Sequence, residues 1–470
     1  MGVGDYLYKQ FLSGMPFRPT SCQDGLFRML AGYVVGDGGD IFVVNGYAGT
    51  GKTTAVTSLV KALKAHGRQF RLMAPTGRAA KVLAHYTGEK AYTIHKTIYR
   101  QASMKDGIGS FTLSPNKDKD TVYIVDEASL IGTDGGGNSI FGSGNLLDDL
   151  LSYLRNGMDN KLILIGDSAQ LPPVGMDLSP ALDMDYISML GGGEFCELKT
   201  VVRQAEESGI LYNATIIRNL INSMSPESLH LELKGFSDIS AIKGGELIEC
   251  ISDAYSQYGM DETVVLCRSN RRANRYNAGI RATVNFSEER LVRDERLMIV
   301  KNCYQFLDGL EDIDFIANGD LARLERIYRY EERYGLHFAT AELSLTDYGE
   351  AEMTAKVILD TLESETASLG AGQQEMLFQG LNEDYSDTRS KAKRYKLIRE
   401  DPYYNALQLK YAYAITCHKS QGGQWKCVFI DNMLWNEPTV DDLKWLYTAI
   451  TRAVEKVYLV NFPEEYYSAD

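Results

Sequence analysis

The sequence predicts an α/β protein with parallel sheets, organised as two α/β units with a β-rich insertion in the second. Three observations predict this class. Short apolar stretches alternate with helical segments in both halves of the chain, which is typical of strands covered by helices on both faces. A complete phosphate-loop pattern follows one of the first strands. The length of 470 residues exceeds the size at which one core keeps growing, so we expect at least two domains.

The first half is organised around a glycine-rich turn that follows an apolar strand at 41–44. The turn matches G-x-x-x-x-G-K-[ST] with Gly46, Gly51, Lys52 and Thr53, and an Ala/Val/Leu-rich helical pattern comes next. Glycines let backbone N–H groups turn toward phosphate oxygens, and a helix N-terminus adds partial positive charge. Lys52 would reach the β- and γ-phosphates, and the Thr53 hydroxyl would bind Mg²⁺. A ligand-free turn does not need this full arrangement, so the segment predicts a bound nucleoside triphosphate.

Two later strand ends carry polar side chains suited to the same site. The apolar run 121–125 predicts a strand that ends in Asp126 and Glu127. Asp126 would hold Mg²⁺, directly or through water, and Glu127 would orient or deprotonate the attacking water. Residues 161–165 predict another strand, and Gln170 lies in the turn that follows it. Its amide could bond a γ-phosphate and release it after hydrolysis, which gives the chain a way to sense nucleotide state.

Composition limits the possible partners and the location. The net charge of −14 means that any nucleic-acid contact must come from local patches, because the overall field would not attract a polyanion. The seven cysteines show no C-x-x-C pair, which argues against a disulfide framework or a zinc site. The first residues lack the features of a signal peptide, and no apolar stretch approaches the roughly 20 residues that a membrane span needs. We therefore expect a cytoplasmic protein without a membrane partner.

The second half changes character along its length. A strand is predicted at 263–267, the alternating pattern over 291–345 has Asn318–Gly319 as its expected hairpin turn, the polar segment 346–400 has helical spacing, and an α/β pattern returns over 410–463. The expected domains are an N-terminal unit at 1–190 with a short insertion at about 99–120, a C-terminal unit at 191–290 plus 401–470, and a β-barrel-like and helical insertion at 291–400.

The order of these motifs resembles superfamily 1 helicases, and most closely the RecD/Dda-like group of the 5′-to-3′ branch. The segments that carry the resemblance are Gln23, Gly46 to Thr54, Ala74 to Leu83, Thr93 to Lys96, Asp126–Glu127, Gly166 to Gln170, Asn318 to Asp320, Ala414 to Gly422 and Tyr447 to Arg452. The resemblance implies two RecA-like P-loop NTPase domains, with an SH3-like barrel inserted in the second. It also implies ATP and Mg²⁺ in the cleft between the domains, and an ATP-dependent DNA helicase or translocase. The 5′-to-3′ direction rests on the resemblance alone.

The resemblance also assigns roles to individual residues. Gln23 would read the adenine, and Arg203 and Arg452 would reach the γ-phosphate from the second domain. The expected catalytic residues are Lys52, Asp126, Glu127, Gln170, Arg203 and Arg452; the expected ATP-binding residues are Gln23, Gly46, Ala48, Gly49, Thr50, Gly51, Lys52, Thr53, Thr54 and Gly422; Thr53 and Asp126 would hold the metal. The expected nucleic-acid contacts are Pro75, Thr76, Gly77, Arg78, Thr93, His95, His418, Lys419 and Ser420. His95 taken alone is as consistent with a buried core histidine as with a contact.

Three functions remain open at this point. The first is a monomeric helicase that acts on single-stranded DNA or on DNA with a single-stranded overhang. The second is a remodeller of nucleoprotein complexes or an RNA translocase, because no separating wedge can be identified, although 99–120 is the natural location for one. The third is a nucleotide-gated binding subunit without enzymatic activity, which the full set of catalytic residues disfavours.

Overall fold

The computed structural model of the chain describes residues 2–36, 38–101, 111–133, 141–202, 208–307, 310, 313, 315–434 and 436–468. These residues form two α/β lobes and a closed barrel.

The first lobe is built on a six-stranded sheet in the order β3-β2-β6-β7-β1-β8, and all of its strand pairs are parallel. Its elements are α1 (Val3–Gly14), α2 (Ser21–Val35), β1 (Ile41–Gly46), α3 (Lys52–His66), β2 (Gln69–Ala74), α4 (Gly77–Thr87), β3 (Ala91–Thr93), α5 (Ile94–Ile98), β4 (Tyr99–Gln101), β5 (Phe111–Leu113), β6 (Thr121–Val125), α6 (Leu146–Arg155), β7 (Lys161–Gly166), α7 (Met184–Met189) and β8 (Glu194–Leu198), with a 3₁₀ turn at Ala128–Leu130.

Both faces of this sheet are covered, which explains why its central strands are apolar throughout. On one face the helices α1, α2 and α3 pack side chains such as Phe11, Phe27 and Leu59 against the strands. On the other face α6 contributes Leu150 and Leu154 to a second cluster. Strands β1, β6 and β7 are buried at every position, so their polar ends at the carboxyl edge are the positions left for chemistry.

The second lobe has a five-stranded sheet in the order β10-β19-β18-β11-β17, again with only parallel pairs. Its elements are α8 (Gly209–Ser223), β9 (Leu231–Glu232), β10 (Ile239–Ile242), α9 (Leu247–Tyr258), β11 (Thr263–Cys267), α10 (Asn270–Thr283), then, after the barrel, β17 (Ala414–Thr416), α13 (Cys417–Ser420), β18 (Trp425–Asp431), α14 (Val440–Ile450), β19 (Ala453–Val460) and β20 (Tyr467–Ser468), with 3₁₀ turns at Pro226–Ser228 and Glu464–Tyr466. One core cluster joins Tyr47 and Leu171 of the first lobe to Trp445 and Tyr447 of the second, so the two lobes pack directly together.

The barrel is inserted between α10 and β17. Its elements are β12 (Arg296–Ile299), β13 (Leu321–Arg333), β14 (Leu336–Leu345), β15 (Ala351–Ile358) and β16 (Leu407–Tyr411), with a 3₁₀ turn at Thr346–Tyr348 and the helices α11 (Ala371–Asp384) and α12 (Lys391–Glu400) before the last strand. All strand pairs are antiparallel except β15 with β16. Its interior shares one apolar cluster with the second lobe.

The fold class predicted from the sequence is confirmed, with two parallel-sheet lobes and a barrel in the second. Two strands lie beyond the predicted domain limits. β8 pairs with β1, so the first sheet continues past residue 190. β16 closes the barrel by pairing with β12 and β15, so the barrel continues past residue 400. We therefore propose domain boundaries after Leu198 and after Tyr411.

The hairpin prediction was wrong in its location. Asn318 and Gly319 form a turn that leads into β13, but the tight hairpin joins β13 to β14 at Tyr334 and Gly335. Both of these residues have positive φ, +54° and +68°, which a two-residue turn between twisted strands requires. The polar segment 346–400 also contains the strand β15 in addition to the expected helices.

The expected insertion near 99–120 contains the antiparallel pair β4 and β5, with Tyr99 opposite Leu113. Residues 102–110 lie outside the described part of the chain, so the wedge stays a prediction. Among the described residues we find no α-helix that combines the length and the apolar character of a transmembrane span.

Candidate active site

The phosphate loop lies between β1 and α3, as the sequence predicts. Gly49 and Gly51 have φ values of +72° and +82°, a backbone conformation that side-chain-bearing residues rarely adopt. Gly46 approaches the Lys52 side chain so closely that an added Cβ would lie 2.7 Å from Lys52 Cγ. The loop therefore requires glycine at these three positions, and it directs the start of α3 toward any bound anion.

The Lys52 ammonium has two partners within the first lobe. It donates to the carbonyl oxygen of Gly46, and its Nζ lies 3.4 Å from Oδ2 of Asp167, a carboxylate at the end of β7 that is 1% exposed. A buried carboxylate therefore holds the Lys52 side chain at the loop. Asp167 lies within the segment Gly166 to Gln170, but no pattern in the sequence indicates its role.

The carboxylates that end β6 lie in the same edge of the sheet. Asp126 accepts two hydrogen bonds, from the Tyr86 hydroxyl at 2.5 Å and from the Glu127 backbone N–H at 2.9 Å. Tyr86 lies on α4, 40 residues earlier in the chain. It orients the expected metal ligand, and no motif in the sequence indicated it.

Glu127 is in a strained and desolvated position. Its φ of +54° is the left-handed region, which costs a glutamate about 1–3 kcal/mol and is found mainly at functional sites. Burial raises the pKa of its carboxyl group, and the charge of Asp126 raises it further, whereas Arg452 and Lys52 lower it. The pKa of Glu127 thus lies above that of an ordinary glutamate, which favours its acting as a proton acceptor.

Arg452 brings the second lobe to this site. Its guanidinium is 4% exposed, and NH1 lies 3.9 Å from Oε1 of Glu127. The group is held by its own lobe, because Nε donates to the Thr448 carbonyl at 3.1 Å and NH1 to the Gly423 carbonyl at 3.3 Å. A fixed positive charge from one lobe therefore faces the carboxylates of the other.

Two glutamines adjoin the loop with different surroundings. Gln23 is fully buried; its amide donates to the Thr50 carbonyl at 3.1 Å and accepts from the Thr20 backbone N–H at 3.0 Å. Both halves of this amide thus have protein partners. Gln170 is 5% exposed, and its Oε1 has no hydrogen-bond partner among the described residues. A buried, unpartnered amide oxygen is expected where a ligand or water completes the site.

The first-lobe candidates for nucleic-acid contact lie around the start of α4 and α5. Thr76 and Thr93 cap these helices, accepting from the N–H groups of Ala79 and Lys96. Arg78 stacks over Trp425 of the second lobe at 3.7 Å. Around these caps, Pro75 is half-buried, Gly77 lies against the barrel, and the half-buried His95 ring packs against Tyr99, Phe141 and Phe315.

The second-lobe candidates differ in accessibility. His418 is exposed, and Lys419 bonds Oδ1 of Asn318 in the barrel at 2.5 Å. Ser420 is fully buried and donates to the Cys417 carbonyl, so its hydroxyl does not reach the surface in this conformation. Gly422, expected near the nucleotide, lies against α4 instead, because an added Cβ would be 3.0 Å from the Thr76 hydroxyl.

The remaining predicted residues lie in the phosphate loop or in the first turn of α3, apart from Arg203. Ala48 and Thr50 lie in the loop, Thr53 is exposed in the first turn of α3, and Thr54 follows it half-buried. Arg203 lies outside the described residues, so its predicted role stays a prediction.

Comparisons with known proteins agree with this arrangement. Residues 28–219 match the AAA domain family, and residues 411–460 match the UvrD-like helicase C-terminal domain. The ATP-dependent RecD2 DNA helicase of Deinococcus radiodurans is 29% identical over 177 residues, covering 37% of this chain and 21% of that protein. The ATP-dependent DNA helicase dda of Enterobacteria phage T4 is 27% identical over 290 residues, covering 60% and 62%.

A solved structure of the Pif1 helicase from Bacteroides, in complex with ADP-AlF3 and ssDNA, aligns with a TM-score of 0.48 at 16% identity, covering 97% of this chain and 95% of that one. The chain spans less than two thirds of the length of the curated relatives named above.

The fold and the site define a P-loop nucleotide-binding protein made of two RecA-like lobes with a barrel in the second. The chain carries an AAA domain and a UvrD-like helicase C-terminal domain, and the RecD2 and Dda helicases are among its relatives, so the resemblance to superfamily 1 helicases stated from the sequence is confirmed.

Proposed function

We propose that the chain is an ATP-driven DNA helicase that moves 5′ to 3′ along a single strand. The observation that carries this proposal is the position of Arg452, 3.9 Å from Glu127 across the two lobes. A nucleotide site that needs a charge from each lobe works fully only when the lobes are closed, so its cycle can drive relative motion. The named activities of the RecD2 and Dda relatives point to the same function.

The residues of the loop fit ATP and Mg²⁺. Left-handed glycines in such a loop turn backbone N–H groups toward phosphates, and the unpartnered Gln170 oxygen is suited to the attacking water or to a ligand. Thr53 and Asp126 would hold the metal, which supplies charge stabilisation on the phosphates when bound. Lys52 would exchange Asp167 for phosphate oxygens, and Glu127 would take the proton of the attacking water. Gln23 would read the adenine only if it gave up one of its two protein partners.

A single strand would bind across both lobes, near the start of α4 and at α13. Thr76, Arg78 and Thr93 in the first lobe and His418 and Lys419 in the second supply hydroxyl, amide and cationic groups suited to phosphates. Lys419 bonds Asn318 and the backbone of Gly77 lies close to Asp320, so the barrel would form one wall of this path. We propose that the chain does this as a monomer.

The test is strand displacement on duplexes with a 5′ or a 3′ single-stranded overhang, with ATP and Mg²⁺. We expect the wild type to displace the strand of the 5′-overhang substrate and the Lys52→Ala variant to displace none. Circular dichroism would check that this variant is folded. Hydrolysis stimulated by single-stranded DNA or RNA without displacement would identify a remodeller or translocase. No stimulated hydrolysis at all would identify a nucleotide-gated binding subunit and refute the proposal.

A further inference from the structure

Tyr447 of α14 reaches from the second lobe into the phosphate loop of the first. Its side chain is 1% exposed, and its hydroxyl makes two hydrogen bonds. It accepts from the backbone N–H of Ala48 at 2.8 Å, and it donates to Oδ2 of Asp167 at 2.8 Å. Burial raises the pKa of this phenol far above its usual value, so the hydroxyl keeps its proton and can donate.

These two contacts join the groups on which the loop depends. The same Oδ2 of Asp167 that accepts from Tyr447 lies 3.4 Å from the Lys52 ammonium. Ala48 precedes Gly49, whose carbonyl accepts from the backbone N–H of Val202 at 2.9 Å. One hydroxyl of the second lobe therefore touches both the backbone of the loop and the carboxylate that holds the loop lysine.

Other polar contacts across the seam, which is the interface between the two lobes, do not involve the phosphate loop. The hydroxyl of Thr448, the next residue of α14, accepts from the Leu171 backbone N–H at 2.8 Å. Gln421 donates to the carbonyl of the same Leu171 at 2.7 Å. These contacts tie the lobes together beyond Gln170, without touching Ala48, Lys52 or Asp167. The seam thus contains contacts of two kinds, which mutation can separate.

We infer that Tyr447 is a positioning residue that transmits the relative position of the two lobes to the phosphate loop. This inference rests on the proposed function, because it assigns to Tyr447 the coupling between nucleotide binding and single-strand binding. When a strand bound across both lobes shifts α14, the hydroxyl carries that shift to Ala48 and Asp167. Phenylalanine at 447 retains the ring and its packing but removes both bonds, so the loop no longer follows the second lobe.

The test measures coupling rather than activity. The Kd of a fluorescent, non-hydrolysable ATP analogue is measured with and without saturating oligo(dT), and the Kd of oligo(dT) with and without the analogue. By linkage both ratios are equal in one protein. We expect a ratio of about fivefold or more in the wild type, as is usual for coupled sites, and a ratio within about twofold of unity in Tyr447→Phe. Thr448→Val, the matched seam variant, should retain the wild-type ratio.

Hydrogen exchange of residues 46–52 gives a second measurement, and thermal denaturation checks folding. The rate of hydrogen exchange in the loop should change when oligo(dT) binds to the wild type and to Thr448→Val, but it should not change in Tyr447→Phe. A wild-type ratio in Tyr447→Phe overturns the inference, and so does an equal loss in both variants, which would indicate general loosening of the seam. A wild type that binds both ligands without coupling also overturns it, and one that binds no single strand refutes the proposed function itself.

Discussion

Removing the Arg452 guanidinium should abolish most of the turnover while largely sparing nucleotide affinity. Two unit charges 3.9 Å apart interact by about 4 kcal/mol at an effective dielectric constant of about 20. A charge of that strength, facing the volume where negative charge develops, matches the 10³-fold to 10⁵-fold effect typical of arginine fingers. A thousandfold loss corresponds to about 4 kcal/mol of barrier, which is the order of magnitude of one such charge interaction. We therefore expect Arg452→Ala to lower kcat by at least about a thousandfold.

The assay is DNA-stimulated ATP hydrolysis under steady-state and single-turnover conditions, with nucleotide Kd measured separately. Arg452→Lys keeps the charge but cannot bond the Thr448 and Gly423 carbonyls in the same fixed geometry, so its kcat should lie between those of the wild type and the alanine variant. Arg155→Ala is the control, because that arginine makes an exposed ion pair with Asp40 away from the seam. Near-wild-type kcat in Arg452→Ala, or a loss confined to nucleotide Kd, would refute the reasoning.

Three further outcomes follow from the contacts of the site and the barrel. Tyr86→Phe removes the hydrogen-bond donor to Asp126 and should raise the Mg²⁺ concentration for half-maximal hydrolysis by about 10-fold to 100-fold. The control is Tyr99→Phe, which loses a buried hydroxyl–carboxylate bond elsewhere in the lobe and should leave this Mg²⁺ concentration unchanged. Burial raises the pKa of Glu127, and this carboxylate must be deprotonated to act as the base. We therefore expect kcat to rise with pH, with a midpoint above the pKa of a free glutamate. A midpoint at the pKa of a free glutamate would contradict the role of Glu127 as the base. Glu295→Ala should destabilise the junction of barrel and second lobe by about 3–5 kcal/mol, measured by denaturation and by hydrogen exchange of the barrel, because it leaves the buried guanidinium of Arg281 without its bidentate partner.

Local sequence predicted the loop well because its geometry is determined by a few adjacent residues. A strand, positive-φ glycines and a helix start occur within the segment 41–54, and each has its own residue signature. Asp126 directly follows β6, and Gln170 lies in the turn after β7 of the same sheet. Parallel strands bring their carboxyl ends to one edge, so motifs far apart in sequence meet there by topology alone.

The features that the sequence did not indicate are of two kinds. Some depend on contacts between residues that are distant in the chain, and others have only a weak sequence pattern. The Tyr86 and Tyr447 hydroxyls act on partners 40 and 280 residues away, and a tyrosine in a helix has no signature for that role. β8 is an edge strand with polar residues, so it lacks the apolar run that marks β1. The hairpin at Tyr334–Gly335 had a usable signal, a glycine between two long alternating segments, but tyrosine at a positive φ is uncommon.

The end of α14 and the residues directly after it place three side chains of one motif against the first lobe. Tyr447 and Thr448 lie in the last turn of α14, and Arg452 lies two residues beyond the end of the helix, where its Nε donates to the Thr448 carbonyl. They contact Asp167, the segment after Gln170, and Glu127 respectively. A rigid displacement of α14 must therefore change the contacts of Asp167 and of the segment after Gln170, and, through the bond from Arg452 to the Thr448 carbonyl, the contact with Glu127. We therefore expect closure of the two lobes to form the three contacts together, and single substitutions to remove them one at a time.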